Sequence, residues 1–246
     1  PIDKGEKSME AVFRRQTLAP AESRSGAPCK LSYSTLFWLF LVGSIVGFLL
    51  EGFWCVLTKG HWEKHSAVVW GPFCIIYGIG AAAVYLLSIL LKNRRLPVQF
   101  AAFTVSGAAV EYFGSLFQDL CFGSVSWDYS DHLFNLGGRV SLRMALLWGV
   151  LGLLFMRFVF PAVSRLFGRM EGNGWRIACA VMTVFMAANL LVTSAAISRW
   201  HSRMTATDPP GPVAQWLGST YDDQTMEKLF PNMQFGERES GDSADA

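Results

Sequence analysis

Hydrophobic positions in this chain of 246 residues gather in five long runs, at about 35–57, 72–91, 99–122, 144–166 and 177–198. Each approaches the roughly 20 apolar residues that carry a helix across a bilayer. The first 34 residues and the last 48 are polar, and short polar loops separate the runs. The pattern predicts an all-α fold, a polytopic transmembrane helix bundle of about five spans. The expected organisation is a polar, flexible N-terminal tail over 1–34, the bundle over 35–198 and a polar C-terminal tail over 199–246. The aromatics of that second tail could pack on the bundle or re-enter it as a sixth helix. Its last residues, from about 236, read as disordered. The start of the second run is marked by "WGPFC", in which Pro72 suits the first helical position and Gly71 precedes it.

Composition strengthens the membrane reading. Only 16% of residues are charged and 52% are hydrophobic, against roughly 25% charged in soluble domains. The net charge of +2 and the lack of a basic-aromatic motif give no reason to expect a nucleic acid partner. The expected partner is the lipid bilayer, and a homo-oligomer is compatible with the pattern. Five cysteines, Cys29, Cys55, Cys74, Cys121 and Cys179, form no C-x-x-C and read as free thiols packing as small apolar groups. About 30 polar residues precede the first run and no A-x-A site follows it, so that run is expected to act as an uncleaved anchor. Lys and Arg favour the loops before run one (Arg14, Arg15, Arg24, Lys30), after run two (Lys92, Arg94, Arg95) and between runs four and five (Arg165, Arg169, Arg176). This bias predicts a cytoplasmic N-terminus in the plasma or inner membrane.

Charges inside the runs are the candidate chemistry. Glu51 lies in "GFLLEGF", with no other charge between Thr35 and Leu57. Run three carries Glu111, Gln118 and Asp119 with far fewer Leu, Ile, Val and Phe, so it should insert poorly alone and is expected to be the interior helix. Gly43, Gly47 and Glu51 repeat every four residues, as do Gly107, Glu111, Ser115 and Asp119. Such spacing puts each set on one helix face, and the small residues let another backbone approach. "GFLLEGF" and "GAAVEYF" share the pattern G-x-x-x-E-x-F, which suggests a parallel repeat of two helical hairpins. Both glutamates should therefore face other helices, as interhelical glue or as stations for a proton, cation or polar solute. Arg157 lies nearer one end of run four and could snorkel to that interface or pair with a glutamate.

Two loops carry further polar groups. His61, Glu63 and His65 offer histidines four apart, but H-E-x-x-H metal sites place the glutamate one position earlier. A polar interfacial loop is the expected role, with no metal or cofactor. In "FGSVSWDYSDHLFNLGGR", Trp127 and Tyr129 suit an interface, and Asp128, Asp131 and Asn135 can cap turns. Gly137 and Gly138 allow a tight backbone before Arg139, which could bind an anion or pair with Asp128.

"GPFCIIYGIGA", "EYFGSLFQDLCFG", "WDYS…FNLGGR" and "LLWGVLGLLF…P" together resemble the ABC-transporter type IV permease-like family over about 35–235, and "YDDQTMEKLFPNMQF" is similar to the C-terminal ending of some members. Gly71, Pro72, Tyr77, Gly78, Glu111, Tyr112, Trp127, Asp128, Tyr129, Asn135, Gly138 and Arg139 carry the resemblance. Asp119 stands where relatives often have Glu, and Lys64 and His65 lie in a stretch where relatives often carry Arg. The resemblance implies a small multi-pass permease subunit and no enzyme. Its expected path residues are Glu51, Glu111, Asp119 and Tyr77. Its outer mouth would be shaped by Trp127, Asp128, Tyr129, Asn135 and Arg139. No G-x-x-x-x-G-K-[ST] stretch occurs, so ATP-driven transport would need a separate ATPase subunit. Two other roles stay open: a membrane scaffold or regulator, and an intramembrane enzyme that would need Glu111 within reach of His61 or His65.

Overall fold

A computed structural model describes residues 31–167, 169–170, 172–205 and 211–236. Residues 1–30 of the tail expected over 1–34, the expected disorder beyond 236, and Cys29 lie outside the described residues. The five apolar runs are helices: α1 Tyr33–Lys59, α2 Ile75–Leu91, α3 Leu96–Phe122, α4 Leu142–Phe167 and α5 Asn173–Met204. All but α2 are long and apolar enough to cross a membrane. At 17 residues, α2 rises about 25 Å, close to a hydrocarbon core of about 30 Å. Ser32 and Ser141 cap α1 and α4 by accepting from the backbone N–H of Thr35 and Met144. Between the helices lie three two-residue strands, β1 Ser124–Val125, β2 Asn135–Leu136 and β3 Val140–Ser141.

The proline of "WGPFC" does not open α2, as expected, but precedes it. Gly71 takes φ +89°, a left-handed value that glycine adopts without penalty, and the helix begins at Ile75. The reason lies in a turn folded back into the bundle. Ser66 Oγ bonds the carbonyls of Val68 and Gly71, Ala67 N–H reaches Phe73 O at 2.9 Å, and Cys74 N–H reaches Ser44 O at 3.0 Å. The second helix therefore starts beside the middle of α1, and the last turns of α1 project past it.

Glycines fix how the helices touch. Gly47 lies against the Tyr77 ring and Gly43 against Ala81, which sets α1 antiparallel to α2. Gly107 lies against Trp148, and Gly149 against Phe100 and Thr104, which sets α3 against α4 in the same way. Each hairpin thus has a first helix of 27 residues, a folded-back loop and a glycine-carved contact, as the paired motifs suggested. We expect Gly107→Ala to lower the thermal midpoint of the purified protein. A Cβ there would fall on the root of the Trp148 side chain, an overpacking worth about 1–3 kcal/mol. An unchanged midpoint in a detergent melt would contradict this packing.

Two helices depart from expectation. Run four is not one regular helix: Phe155–Val159 form a π turn closed by Phe160 N–H on Phe155 O. Pro161, next in line, has no N–H to give Arg157 O and would clash with it in a regular helix, and the wider turn relieves that. The Arg157 side chain there is exposed. Run three is not buried all round. It buries Phe103, Gly107, Glu111 and Ser115 while Val105, Phe113, Phe117 and Leu120 stay exposed. Only its polar face needs protein, and the apolar stripe suits lipid.

The C-terminal tail packs on the bundle in short helices rather than as a further span. These are α6 Pro212–Thr220 and α7 Asp223–Leu229, followed by β4 Gln234–Phe235, which pairs antiparallel with β1. Leu217, Tyr221, Met226 and Phe230 bury against Val69 and against Ala196, Ile197 and Trp200 of α5. This cluster ties the tail, the first loop and the end of α5 into one cap.

Candidate functional site

The two G-x-x-x-E motifs do the same work in their two hairpins. In the first, Gly47 lets the Tyr77 ring lie flat on α1, and Tyr77 Oη donates to Glu51 Oε1 at 2.5 Å. In the second, Gly107 admits the Trp148 ring, and Trp148 Nε1 donates to Glu111 Oε1 at 2.9 Å. A glycine four residues before the glutamate seats the aromatic body, and the carboxylate one turn on takes its polar tip. The two rings then meet, with centroids 6.2 Å apart. Glu51 and Glu111 are thus joined through a phenol and an indole, each accepting from its own aromatic partner.

The partners are unequal. Glu111 is buried, and its second oxygen, Oε2, has no hydrogen-bond partner. Glu51 is only half-buried. Tyr129 brings the second loop over the same place. Burial raises its hydroxyl above the ordinary tyrosine value, and the charges of Glu111 and then Glu51 raise it further. Tyr77, named as a path residue from the resemblance, lies between Glu51 and the Trp148 ring.

The face Glu111–Ser115–Asp119 continues as its spacing predicts, and it ends on Arg139. The guanidinium pairs with Asp119 Oδ2 at 2.5 Å and donates to Ser115 Oγ at 3.2 Å. The expected partner of Arg139 was Asp128, but the ion pair is made with Asp119 of α3, because the loop aims the guanidinium at that helix face. The rest of the loop motif is built to hold that arginine. Asn135 Nδ2 donates to the carbonyls of Ser130 and His132, and its Oδ1 accepts from Gly138 N–H at 2.9 Å. Gly137 and Gly138 take φ +57° and +63°, and Trp127 Nε1 donates to Arg139 O. Asp128 accepts from Ser130 N–H and Oγ on the surface. Asn135 and Gly138 are organisers of the loop, while Tyr129 and Arg139 reach the polar face.

Gly71 and Pro72 sit apart, at the turn before α2, and their segment rests on residues that sequence reasoning missed. Asn189, fully buried in α5, accepts from Trp70 N–H at 3.1 Å and donates to Trp70 O at 2.7 Å. Thr193 accepts from Val69 N–H at 3.0 Å. The available signal was a lone asparagine with a threonine four residues on, within an apolar run. His61 and His65 take Glu63 as their carboxylate, at 3.0 and 3.5 Å. Glu111 takes Trp148 instead, so the pairing that an intramembrane enzyme would need is not the one made.

Comparison with known proteins adds one match. The family model described as "Putative ABC-transporter type IV" matches residues 38–194. The matched stretch runs from α1 into α5 and includes both glutamate–aromatic pairs, Asp119 and Arg139. The tail segment Tyr221–Phe235 lies beyond it. No curated protein and no solved structure matches.

Proposed function

The chain belongs to the ABC-transporter type IV family, and we propose that it is a membrane-embedded permease subunit for a small solute or ion. One observation carries this reading. Glu111 is buried among helices with one oxygen held by Trp148 and the other unpartnered. Intramembrane carboxylates are costly and mark proton or ion routes, and an open oxygen is a place for a proton or cation. Glu51, reached through Tyr77 and Trp148, is the second station. Asp119 and Arg139 form the charged end of the same face, under the Trp127–Tyr129 loop. In an ATP-driven assembly a separate ATPase subunit supplies the phosphate loop. The Lys and Arg excess after α2 and between α4 and α5 supports a cytoplasmic N-terminus for a bundle in the cell membrane.

The test is flux through proteoliposomes loaded with a pH or cation indicator, under proton, sodium or potassium gradients. Glu111→Gln keeps an oxygen for the Trp148 indole and loses the exchangeable charge. Flux should fall by at least tenfold while the thermal midpoint stays put. A specific observation favours a second reading, that of a scaffold. Every acid on the face already has a donor: Tyr77 for Glu51, Trp148 for Glu111 and Arg139 for Asp119. No flux in the parent, together with a lowered midpoint in Glu111→Gln, would make these acids interhelical glue.

A further inference from the structure

A second cluster lies where α1 ends. Cys55, on the last turns of α1, is 3% exposed. The 60–74 loop folds back along those turns and brings His65 Nε2 to 3.0 Å from Cys55 Sγ, with Glu63 Oε2 3.8 Å from the sulfur and 3.5 Å from the same nitrogen. We propose that Cys55, Glu63 and His65 bind a borderline-soft divalent cation of the zinc class, with Asn232 of the C-terminal segment orienting His65.

Donor type and spacing both fit. A thiolate, an imidazole and a carboxylate are the donors zinc takes. Tetrahedral zinc, with bonds of roughly 2.0–2.3 Å, holds such donors roughly 3.4–3.6 Å apart. The observed edges match with a shift of about half an ångström. The three side chains leave a fourth position for water or for His61, whose Nε2 is 3.0 Å from Glu63 Oε1. Charge balances too, since thiolate and carboxylate together neutralise the ion. Binding releases the thiol proton to solvent.

The environment favours a cation over a reactive thiolate. Cys55, His65 and Asn232 resemble a nucleophile, its base and an orienting group. Yet the sulfur sits at the negative, C-terminal end of α1 and beside Glu63, and both disfavour a bare thiolate. A bound cation reverses that. Asn232 lies 2.8 Å from His65 Nδ1. With metal on Nε2 the ring proton moves to Nδ1, and the Asn232 amide, turned over, accepts it through oxygen. Asn232 is held by its neighbours, Phe230 in the cap and β4 on β1. Cation binding would therefore strengthen docking of the tail. Lys59 is the competitor. Its ammonium is 2.7 Å from Glu63 Oε2 and half-exposed, free to swing away. That hydrogen bond, with one from His61, keeps the Glu63 carboxyl below the usual range.

The probe is Co²⁺ added to the full chain in detergent. One equivalent should bind with a thiolate-to-cobalt charge-transfer band that Zn²⁺ bleaches. Cys55→Ser should lose the band and Cys121→Ser keep it. Asn232→Ala should weaken binding by about 10–100-fold, and Lys59→Met should tighten it. No band at millimolar Co²⁺, or a band that survives Cys55→Ser, overturns the site. Should Cys55→Ser not fold, His65→Gln decides: it should lose the band, and a band of unchanged intensity overturns the proposal.

Discussion

Asn189→Leu should lower the stability of the bundle by roughly 2–6 kcal/mol, although leucine fills nearly the same volume. The loss follows from what the amide does. The segment before α2 leaves the loop face and dips among the helices, where Val68 is fully buried beside Leu41, Phe73 and Met186. Backbone at that depth finds no water, so each N–H and C=O needs a protein partner. Asn189 presents both halves of an amide to Trp70, as a neighbouring strand would, and leucine offers neither. Two backbone groups of Trp70 lose their partner, at about 1–3 kcal/mol each. Thr193 still holds Val69 and limits the damage. A detergent melt followed by tryptophan fluorescence reads the effect. A midpoint matching the parent would mean that water reaches Trp70 and that the segment is not clasped. Asn189→Leu should also disturb the site, because Tyr77 lies two residues into α2 and takes its place from where that helix begins.

That dependence separates what the chain announces from what it conceals. The helices are legible because a bilayer imposes a length and a hydrophobicity, and both are local. The inward aim of Glu51 and Glu111 is legible for the same reason, since a four-residue spacing fixes a face whatever lies opposite. What meets that face depends on where the next helix starts, and Gly71 and Pro72 mislead there. Pro72 suits a first helical position, yet hydrogen bonds from Ser66, Ser44 and Asn189 hold the segment as a turn and move the start to Ile75. Tyr77 was legible as a motif residue and Trp148 was not, though the two act alike. Nothing local marks one tryptophan in "LLWGVLGLLF" as the donor to a glutamate 37 residues earlier. Cys55 was hidden in the same way, because its partners come from a loop that folds back. The loop motif was half legible. Trp127, Asn135 and Gly138 read as turn and interface residues, and their hydrogen bonds do shape the turn, but the role of that turn is to deliver Arg139 to α3.

Arg139→Met should cost about 3 kcal/mol, and adding Asp119→Leu should recover much of it. The guanidinium is 14% exposed and the carboxylate 30%, so the pair is largely out of water. Removing one member leaves the other charge uncompensated, which costs more than the intact pair contributes. Removing both restores an apolar contact. The double-mutant cycle should therefore give a coupling energy of about 2 kcal/mol, and additive effects would mean that the pair is solvated and idle. The same variants bear on transport. With Arg139 in place, Asp119 is neutralised and makes a poor station for a cation, leaving Glu111 as the open one. Arg139→Met frees Asp119 at the end of that face. In proteoliposomes it should raise cation uptake at low concentration if solute passes there, and leave it unchanged if the face is only glue. Flux then rises as stability falls for a path, and stability alone falls for a scaffold, which a melt alone cannot distinguish.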